Sequence, residues 1–379
     1  MMPRPKLSLI IPYRQRLENL RSALQSLVHQ TMDPAEFEVV IGAMEYDEAY
    51  VTACREVADR IRIVTVMTND AFEIPIARNI AMRQAAGEVI VNIDADTLLP
   101  PDALTNLYER HYAFGQAACV VGQVLGYGNN YDGDVEHVDQ VPFATWQDRL
   151  IEMADTRDVP RDPRFQVDHV IPWSFAWTGF IALPADLIRR HDLYFDESLR
   201  GWGVDDIEWG YRISAEGIPI VLRKDVWALH LPHIRDTAAN FVTEGVTYRQ
   251  FLHKFPGPDV ELAAAFSDFE ANGRYLEFKA ALAGVVPSGA AGLGTVLGTS
   301  DGVTTVFCGA SLDKHGQVTE PGRYGDIREV LPLIGLALPY PDGIAEICRI
   351  APPIQGLSDD YRKQVHATAS RVARTVIVE

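Results

Sequence analysis

Three groups of acidic and histidine side chains could do chemistry in this chain. The first is the pair Asp94 and Asp96, which follows a short apolar run in the segment GEVIVNIDAD. Two carboxylates one residue apart at the end of a strand can hold a hard divalent cation, one directly and the other through water or a sugar hydroxyl. A solvated turn explains the pair equally well, so the pair alone does not decide.

The second group is Asp205 and Asp206, in the segment GWGVDDIEWGYR at residues 201–212. Because adjacent carboxylates repel one another, at least one is expected to have a raised pKa suited to removing a proton from a hydroxyl. Acidic residues at a helix start also have a structural explanation, since they interact favourably with the helix dipole. The glycines on either side of Trp202 indicate a tight turn that presents an aromatic ring.

The third group is His230 and His233, in the segment HLPH after a predicted strand. At this spacing one or both neutral imidazoles can reach a metal ion. A single histidine is more often a structural hydrogen-bonding group. Two of them, downstream of the two acidic pairs, favour a metal site assembled from separate loops.

The elements that must position these groups alternate over the first hundred residues. Strands are predicted at residues 7–11, 37–41, 61–67 and 89–93, with helices from residue 17, at 49–60 and at 76–86. Such alternation predicts a doubly wound parallel sheet, which keeps its ligands at the carboxyl ends of the strands. Asp94 and Asp96 are therefore expected at that edge of the sheet.

The composition and the later segments set further limits. With 379 residues, 47% hydrophobic and a formal net charge of −18, the chain is a globular protein without the basic surface that nucleic acids or anionic membranes require. No apolar run approaches a membrane-spanning or signal-peptide length, so we expect a cytoplasmic protein. The polar loop at 126–134 is expected to lie where a lid or acceptor loop could sit, and GAAGLG at 289–294 is expected to be a flexible linker.

Five motifs occur in an order that resembles a family 2-like glycosyltransferase with the nucleotide-sugar-binding GT-A fold. They are IPYRQR at 11–16, ARN at 77–79, DAD at 94–96, GWGVDD at 201–206 and HLPH at 230–233. GWGVDD is most similar to the GWGxED of the β-1,4-galactosyltransferase and chondroitin-polymerase branch. The resemblance implies an α/β fold, with a mainly parallel Rossmann-like sheet and helices on both faces.

The resemblance covers about residues 6–255 and implies two domains. Residues 1–255 would be the catalytic domain. Residues 256–379, where the pattern of the sequence changes, would be a helical or mixed extension. This extension could serve acceptor recognition or oligomerisation, including a possible homo-oligomer.

The resemblance also implies roles for particular residues. Asp96 would be the main ligand of Mn2+ or Mg2+, with His233 and also His230. Asp206 would be the catalytic base, and Asp205 would hold an acceptor hydroxyl. The donor-binding residues would be Pro12, Tyr13, Arg14, Arg16, Glu45, Arg78, Asp94, Ala95 and Asp96. The acceptor-binding residues would be Trp173, Trp177, Gly179 and Trp202.

Two departures from the family pattern bear on specificity. The usual Asp-Asp-Gly-Ser after the second strand is replaced by Gly42-Ala43-Met44-Glu45, so Glu45 is the candidate for the contact that selects the nucleotide base. The Glu-Asp pair of the family is Asp205-Asp206 here, one methylene shorter at the first carboxylate.

The expected activity is inverting, metal-dependent transfer of a sugar from a nucleoside diphosphate, expected to be UDP, to a hydroxyl of a glycan, a peptide or a small metabolite. One alternative is a haloacid-dehalogenase-type phosphatase, because IDADT resembles its D-x-D-x-T motif, although Leu98 stands at the threonine position. Another alternative is an inactive nucleotide-sugar-binding protein.

Overall fold

The computed structural model of the chain describes residues 4–68, 71, 73–126, 141–155, 162–233 and 237–379. The chain forms two compact units. Unit 1 is Met1–Asp168 with Pro172–Glu244, and unit 2 is His169–Ile171 with Gly245–Glu379. The predicted domain boundary at residue 255 lies inside unit 2. The predicted loop at 126–134 lies outside the described residues except for Gly126.

In its described residues, unit 1 has a sheet of eight strands in the order β3-β2-β1-β4-β7-β6-β8-β5. The strands are β1 (Leu7–Tyr13), β2 (Phe37–Ala43), β3 (Ile63–Met67), β4 (Val89–Ile93), β5 (Thr97–Leu98), β6 (Cys119–Leu125), β7 (Phe180–Pro184) and β8 (Ile220–His230). The predicted strands β3, β2, β1 and β4 are adjacent and parallel, while β7 is antiparallel to β4. The predicted α/β class with a mainly parallel sheet is confirmed.

The helices of this region cover both faces of the sheet. They are α1 (Leu17–Val28), α2 (Glu48–Arg55), α3 (Ile74–Gln84), α4 (Ala103–His111), α5 (Phe143–Asp155), α6 (Ala185–Arg190) and α7 (Asp205–Ala215), and α8 (Thr237–Lys254) contains the division between the units. In α1, the leucines at positions 20, 24 and 27 are buried, as the helical spacing predicts. Among the described residues, no helix combines the length and the apolar character needed to cross a membrane.

Alternate side chains of β1, β2 and β4 form the main core on one face of the sheet. On the other face, α3 approaches the end of β2 very closely. A Cβ built on Gly42 would lie 1.9 Å from the carbonyl oxygen of Ala77, so only glycine fits there. The close approach brings the ARN motif of α3 to the carboxyl edge of the sheet.

Unit 2 contains a five-stranded sheet in the order β11-β9-β10-β12-β13. Its strands are β9 (Gly292–Ser300), β10 (Val303–Leu312), β11 (Asp326–Leu331), β12 (Ala345–Ile350) and β13 (Ala373–Val378), and its helices are α9 (Pro258–Phe266), α10 (Asp268–Val285) and α11 (Asp359–Val372). The prediction that GAAGLG is a linker is wrong for its second half, which begins β9. Gly298 further along this strand lies against the backbone of Tyr324, where a Cβ would meet the carbonyl oxygen at 2.3 Å.

Candidate active site

The carboxyl ends of three parallel strands bring separate sequence motifs together. The turn after β1 carries Arg16, the turn after β2 carries Glu45, and the turn after β4 carries Asp94 and Asp96. Because the strands are parallel and adjacent in the order β2-β1-β4, all three turns lie at one edge of the sheet.

A short strand pairing brings the histidines to the same place. Thr97 of β5 pairs with His230 at the end of β8, and the backbone N–H of Leu231 donates to the carbonyl oxygen of Asp96 at 2.7 Å. The DAD and HLPH motifs, which are far apart in sequence, are therefore neighbours across an antiparallel ladder. This contact explains why His230 and His233 face Asp96.

Asp96, His230 and His233 form a buried cluster whose candidate ligand atoms all lie within 4.8 Å of one another. Nδ1 of His233 is 2.9 Å from Oδ2 of Asp96, and Nε2 of His230 is 3.4 Å from Oδ1. Burial alone would raise the pKa of Asp96, but the neighbouring His230, His233 and Arg16 outweigh it and hold the pKa far below its usual range. The carboxylate is therefore ionised.

The cluster fits a divalent cation. Oδ1 of Asp96 is buried and makes no hydrogen bond within the described part of the chain, which leaves a charged oxygen ready for another ligand. One carboxylate oxygen and two imidazole nitrogens are ligand types that first-row divalent metals accept. These three residues could hold a metal ion.

Arg16 contacts the same carboxylate. Its Nη1 donates to Oδ2 of Asp96 at 2.6 Å, while 45% of the Arg16 side chain remains exposed and Asp96 is 1% exposed. Arg16 is the residue before α1, and its carbonyl oxygen accepts the N–H of Leu20 at 3.0 Å.

Arg78 joins the DAD motif to the GWGVDD motif. From α3, this buried guanidinium donates to Oδ1 of Asp94 at 2.9 Å, to Oδ2 of Asp205 at 2.8 Å and to Oγ1 of Thr178 at 2.5 Å. Burial would lower the pKa of Arg78, but Asp94 and Asp205 raise it above its usual value, so the side chain stays charged. Burial raises the pKa of Asp205, although the neighbouring Arg78 acts to lower it.

Asp206 is oriented differently from Asp205. It is half-buried at the start of α7, where its Oδ1 accepts the N–H of Ile207 at 2.8 Å and its Oδ2 accepts the N–H of Thr178 at 3.3 Å. Backbone donors thus fix the carboxylate while part of it stays accessible. Asp205, in contrast, is buried and turned towards Arg78.

The turn before α7 presents Trp202. Gly201 has a φ of 87°, which favours glycine, and its N–H donates to the carboxylate of Glu73 at 3.0 Å. The carbonyl oxygen of Trp202 accepts the hydroxyl of Thr243 at 2.8 Å, and the tryptophan itself is half-buried. The turn is held on both sides, next to Asp205 and Asp206.

Part of the chain that carries this arrangement is similar to a known protein family. Residues 8–170 match the sequence model described as glycosyl transferase family 2. The matched segment includes β1 to β6 and the Arg16, Arg78, Asp94 and Asp96 side chains.

Two curated glycosyltransferases are similar to a larger part of the chain. Validoxylamine A glucosyltransferase of Streptomyces hygroscopicus subsp. limoneus is 31% identical over 262 residues, which cover 66% of this chain and 57% of that protein. An uncharacterized glycosyltransferase of Bacillus subtilis (strain 168) is 25% identical over 260 residues, which cover 60% of this chain and 65% of that protein. The chain thus spans less than two thirds of the length of either relative.

Among solved structures, a mannosyltransferase from Pyrobaculum calidifontis in complex with GDP-Man and Mn2+ gives a TM-score of 0.46 at 18% identity, covering 74% of this chain and 76% of that chain. A similarity at this level carries no argument about the site. The galactosyltransferase branch that GWGVDD suggested is not among these relatives, so membership of that branch stays a prediction.

The remaining predicted donor-binding residues of the matched segment are in different environments. Pro12 and Tyr13 are buried at the end of β1, and the Tyr13 ring stacks on Tyr50 at 4.6 Å. Burial, followed by the nearby acidic side chains, raises the pKa of Tyr13 to about 12. Ala95 is part of the buried core, and Arg14 is exposed.

Glu45 is half-buried and accepts the backbone N–H of Gln15 at 2.9 Å. This hydrogen bond joins the turn after β2 to the turn after β1. The role of Glu45 in base selection stays a prediction.

The predicted acceptor residues other than Trp202 are packed within unit 1. Trp173 is buried with its ring edge-on to Tyr211 at 5.4 Å. Trp177 is half-buried over the guanidinium of Arg164 at 4.6 Å, and Gly179 is buried. Their acceptor roles stay predictions.

Two residues that hold the site together were not predicted from the sequence. Thr178 contacts both Arg78 and Asp206, and nothing in the sequence singled it out. Asn79 exchanges two hydrogen bonds, both of 2.8 Å, with the backbone of Phe195. Asn79 is part of the ARN motif, which was the available signal.

Proposed function

We propose that the chain is an inverting, metal-dependent glycosyltransferase that moves a hexosyl group from a nucleoside diphosphate sugar to an acceptor hydroxyl. The observation that carries the proposal is the continuity of the site. Asp96, which is grouped with the two histidines, follows Asp94 by two residues, and Arg78 links Asp94 to Asp205 at the start of α7, next to Asp206.

The donor side would be built around Asp96, His230 and His233, which would hold Mn2+ or Mg2+. When bound, such an ion neutralises charge on the departing diphosphate. Arg16 would bind a phosphate oxygen, for which its planar guanidinium is suited. Asp94, part of whose carboxylate is exposed, would face the donor sugar or the ribose.

On the acceptor side, Asp206 would be the base. Its accessible carboxylate would take the proton as the acceptor oxygen forms a bond to the anomeric carbon and the bond from that carbon to the diphosphate breaks. A single displacement of this kind inverts the configuration. Asp205 would position Arg78, and through it Asp94. The expected contact of Asp205 with an acceptor hydroxyl stays a prediction, and Trp202 would stack on a sugar ring of the acceptor.

For the donor and the acceptor we propose chemical classes. Glucosyl transfer, named for the Streptomyces relative, supports a hexose as the transferred sugar. UDP is proposed as the nucleotide, and Glu45 as the residue that contacts the base. The acceptor would be a glycan, a peptide or a small metabolite, and unit 2 would contribute to acceptor choice or to self-association.

The geometry gives no support to the phosphatase alternative. A phosphatase of that type needs an aspartate that can attack a phosphoester. Asp94 is bound by Arg78, and Asp96 is enclosed by two histidines and Arg16.

The proposal is tested by incubating the purified chain with Mn2+ and a panel of UDP and GDP sugars, with simple glycosides as acceptors. We expect release of the nucleoside diphosphate and a product of inverted anomeric configuration by NMR. A retained configuration would exclude Asp206 as the base of a single displacement. Release of phosphate from simple phosphomonoesters would favour the phosphatase instead.

A further inference from the structure

Two side-chain nitrogen atoms lie close to one oxygen of Asp96. Nη1 of Arg16 lies 2.6 Å from Oδ2, and Nδ1 of His233 lies 2.9 Å from the same atom. The Arg16 contact is a short charge-assisted hydrogen bond, a strong type of contact. The carboxylate that the cluster would offer to a cation through Oδ1 is therefore already in contact, through Oδ2, with the chain's own cation.

The backbone around Arg16 is fixed, but its side chain has room to move. Gln15, with a φ of 60°, is held by Glu45, and the Arg16 carbonyl accepts a hydrogen bond from the first turn of α1. The Arg16 side chain is 45% exposed, whereas its partner carboxylate is 1% exposed. A rotation of this one side chain would release Asp96 without disturbing β1 or α1.

We infer that the Arg16 guanidinium is an exchangeable counterion of the metal site. Without a bound divalent cation it neutralises the buried carboxylate of Asp96. When a divalent cation binds, repulsion between two positive charges on one carboxylate drives Arg16 away. It then pairs with the diphosphate of the donor; this last step rests on the proposed function.

Two opposite effects follow from this exchange. Metal binding at Oδ1 is opposed by the positive charge of Arg16 on the other oxygen of the same carboxylate, so the apparent metal affinity of the protein alone is weakened. A nucleoside diphosphate that accepts Arg16 removes this cost, so metal and nucleotide bind cooperatively, each strengthening the other by the same factor. A residue that only shaped the site would not give effects of opposite sign.

The test is calorimetric titration of the full chain with Mn2+ alone, for the wild type, Arg16→Gln and Arg16→Lys. The matched control is Arg21→Gln on α1, which removes the same charge from a residue that pairs with Glu56 and Glu18. We expect Arg16→Gln to bind Mn2+ about tenfold more tightly than the wild type. Arg16→Lys and Arg21→Gln should remain close to the wild type.

A second titration uses UDP and GDP at saturating Mn2+. Arg16→Gln should bind the nucleotide that the wild type prefers about tenfold more weakly, with little remaining cooperativity between metal and nucleotide. Thermal unfolding of each variant checks that it is folded.

The outcomes distinguish the counterion role of Arg16 from the assignment of a nucleoside diphosphate sugar as the donor. Unchanged or weaker Mn2+ binding by Arg16→Gln overturns the counterion role, even if the enzyme proves to be a glycosyltransferase. Tighter Mn2+ binding without binding of any nucleoside diphosphate supports the counterion role and overturns the donor assignment. If the wild type does not bind Mn2+ or Mg2+ at all, both are overturned.

Discussion

Asp206 is the residue to which the bond-forming chemistry is assigned, because its carboxylate is fixed by backbone donors and yet accessible. Asp206→Asn keeps the size of the side chain and removes the base. General-base catalysis contributes about 10²–10⁴-fold, so we expect transfer to fall by that factor while donor binding stays near the wild-type value.

The measurement is the initial rate of sugar transfer, with donor affinity taken from calorimetry. Glu216→Gln, an exposed residue just beyond the other end of α7, is the control and should keep wild-type transfer. Near-normal transfer by Asp206→Asn would exclude it as the base.

Arg78 is a buried cation between two carboxylates, and its loss would leave them facing one another. Breaking a buried ion pair by removing one partner costs about 3–5 kcal/mol. We expect Arg78→Met to lower the free energy of unfolding by about this amount in urea denaturation. Arg78→Met combined with Asp205→Asn should recover part of the loss, since one of the uncompensated charges is then gone.

If the double variant lost as much free energy of unfolding as the two single variants added together, the contact between Arg78 and Asp205 would contribute nothing measurable. The single variant Asp205→Asn supplies the fourth corner of the cycle.

At the scale of elements, α7 is held against the 3₁₀ turn Pro172–Phe175 through Gly210. A Cβ at Gly210 would meet Cβ of Ala176 at 2.4 Å and the carbonyl oxygen of Trp173 at 2.8 Å. Gly210→Ala therefore must displace α7, the helix that begins with Asp205 and Asp206. Overpacking of this kind costs about 1–3 kcal/mol.

We expect Gly210→Ala to lower both the melting temperature and the transfer rate, measured by thermal unfolding and by the transfer assay. Gly273→Ala in α10 is the matched control, because a Cβ there meets nothing within 4 Å. Wild-type stability and transfer in Gly210→Ala would show that the contact with the turn is loose.

In unit 2, α9 is joined to the loop after β11 through Glu261. This buried carboxylate accepts the N–H groups of Ile334, Gly335 and Leu336 at 2.8–3.0 Å. Burial raises the pKa of Glu261 to about 7, against the opposing effect of these backbone donors.

The folded state therefore keeps a proton that the unfolded chain loses near pH 4.5, so this residue makes folding less favourable as pH rises from about 4.5 to about 7. We expect the difference in urea-unfolding free energy between pH 5 and pH 7 to shrink in Glu261→Gln. An unchanged difference would show that Glu261 does not titrate in this range.

At the scale of the whole molecule, the sequence predicted the elements with strong periodicity and missed those defined by pairing. The four parallel strands from β1 to β4 were predicted because their apolar runs alternate with helices. The two-residue strand β5 has no pattern of its own and exists through its pairing with β8. The same pairing, not any local signal, brings His230 to Asp96.

In unit 2, composition led to a wrong prediction. The glycine-rich segment 289–294 is predicted to be a linker, but its second half begins β9. At Gly294, and at Gly298 further along the strand, a Cβ would lie within 3 Å of a neighbouring backbone atom, so a larger residue would not fit. Composition alone cannot distinguish a glycine needed for close packing from one in a flexible segment. The network around Arg78 was likewise hidden, since its partners come from three separate parts of the chain.

The central claim is that this chain binds a nucleoside diphosphate sugar through a metal held by Asp96 and the two histidines. The most direct measurement is the thermal unfolding of the wild type with UDP, GDP and their sugars, with and without Mn2+. We predict stabilisation by one nucleotide class that requires Mn2+ and is lost in Asp96→Asn. Equal stabilisation without the metal, or none by any nucleotide, would contradict the claim.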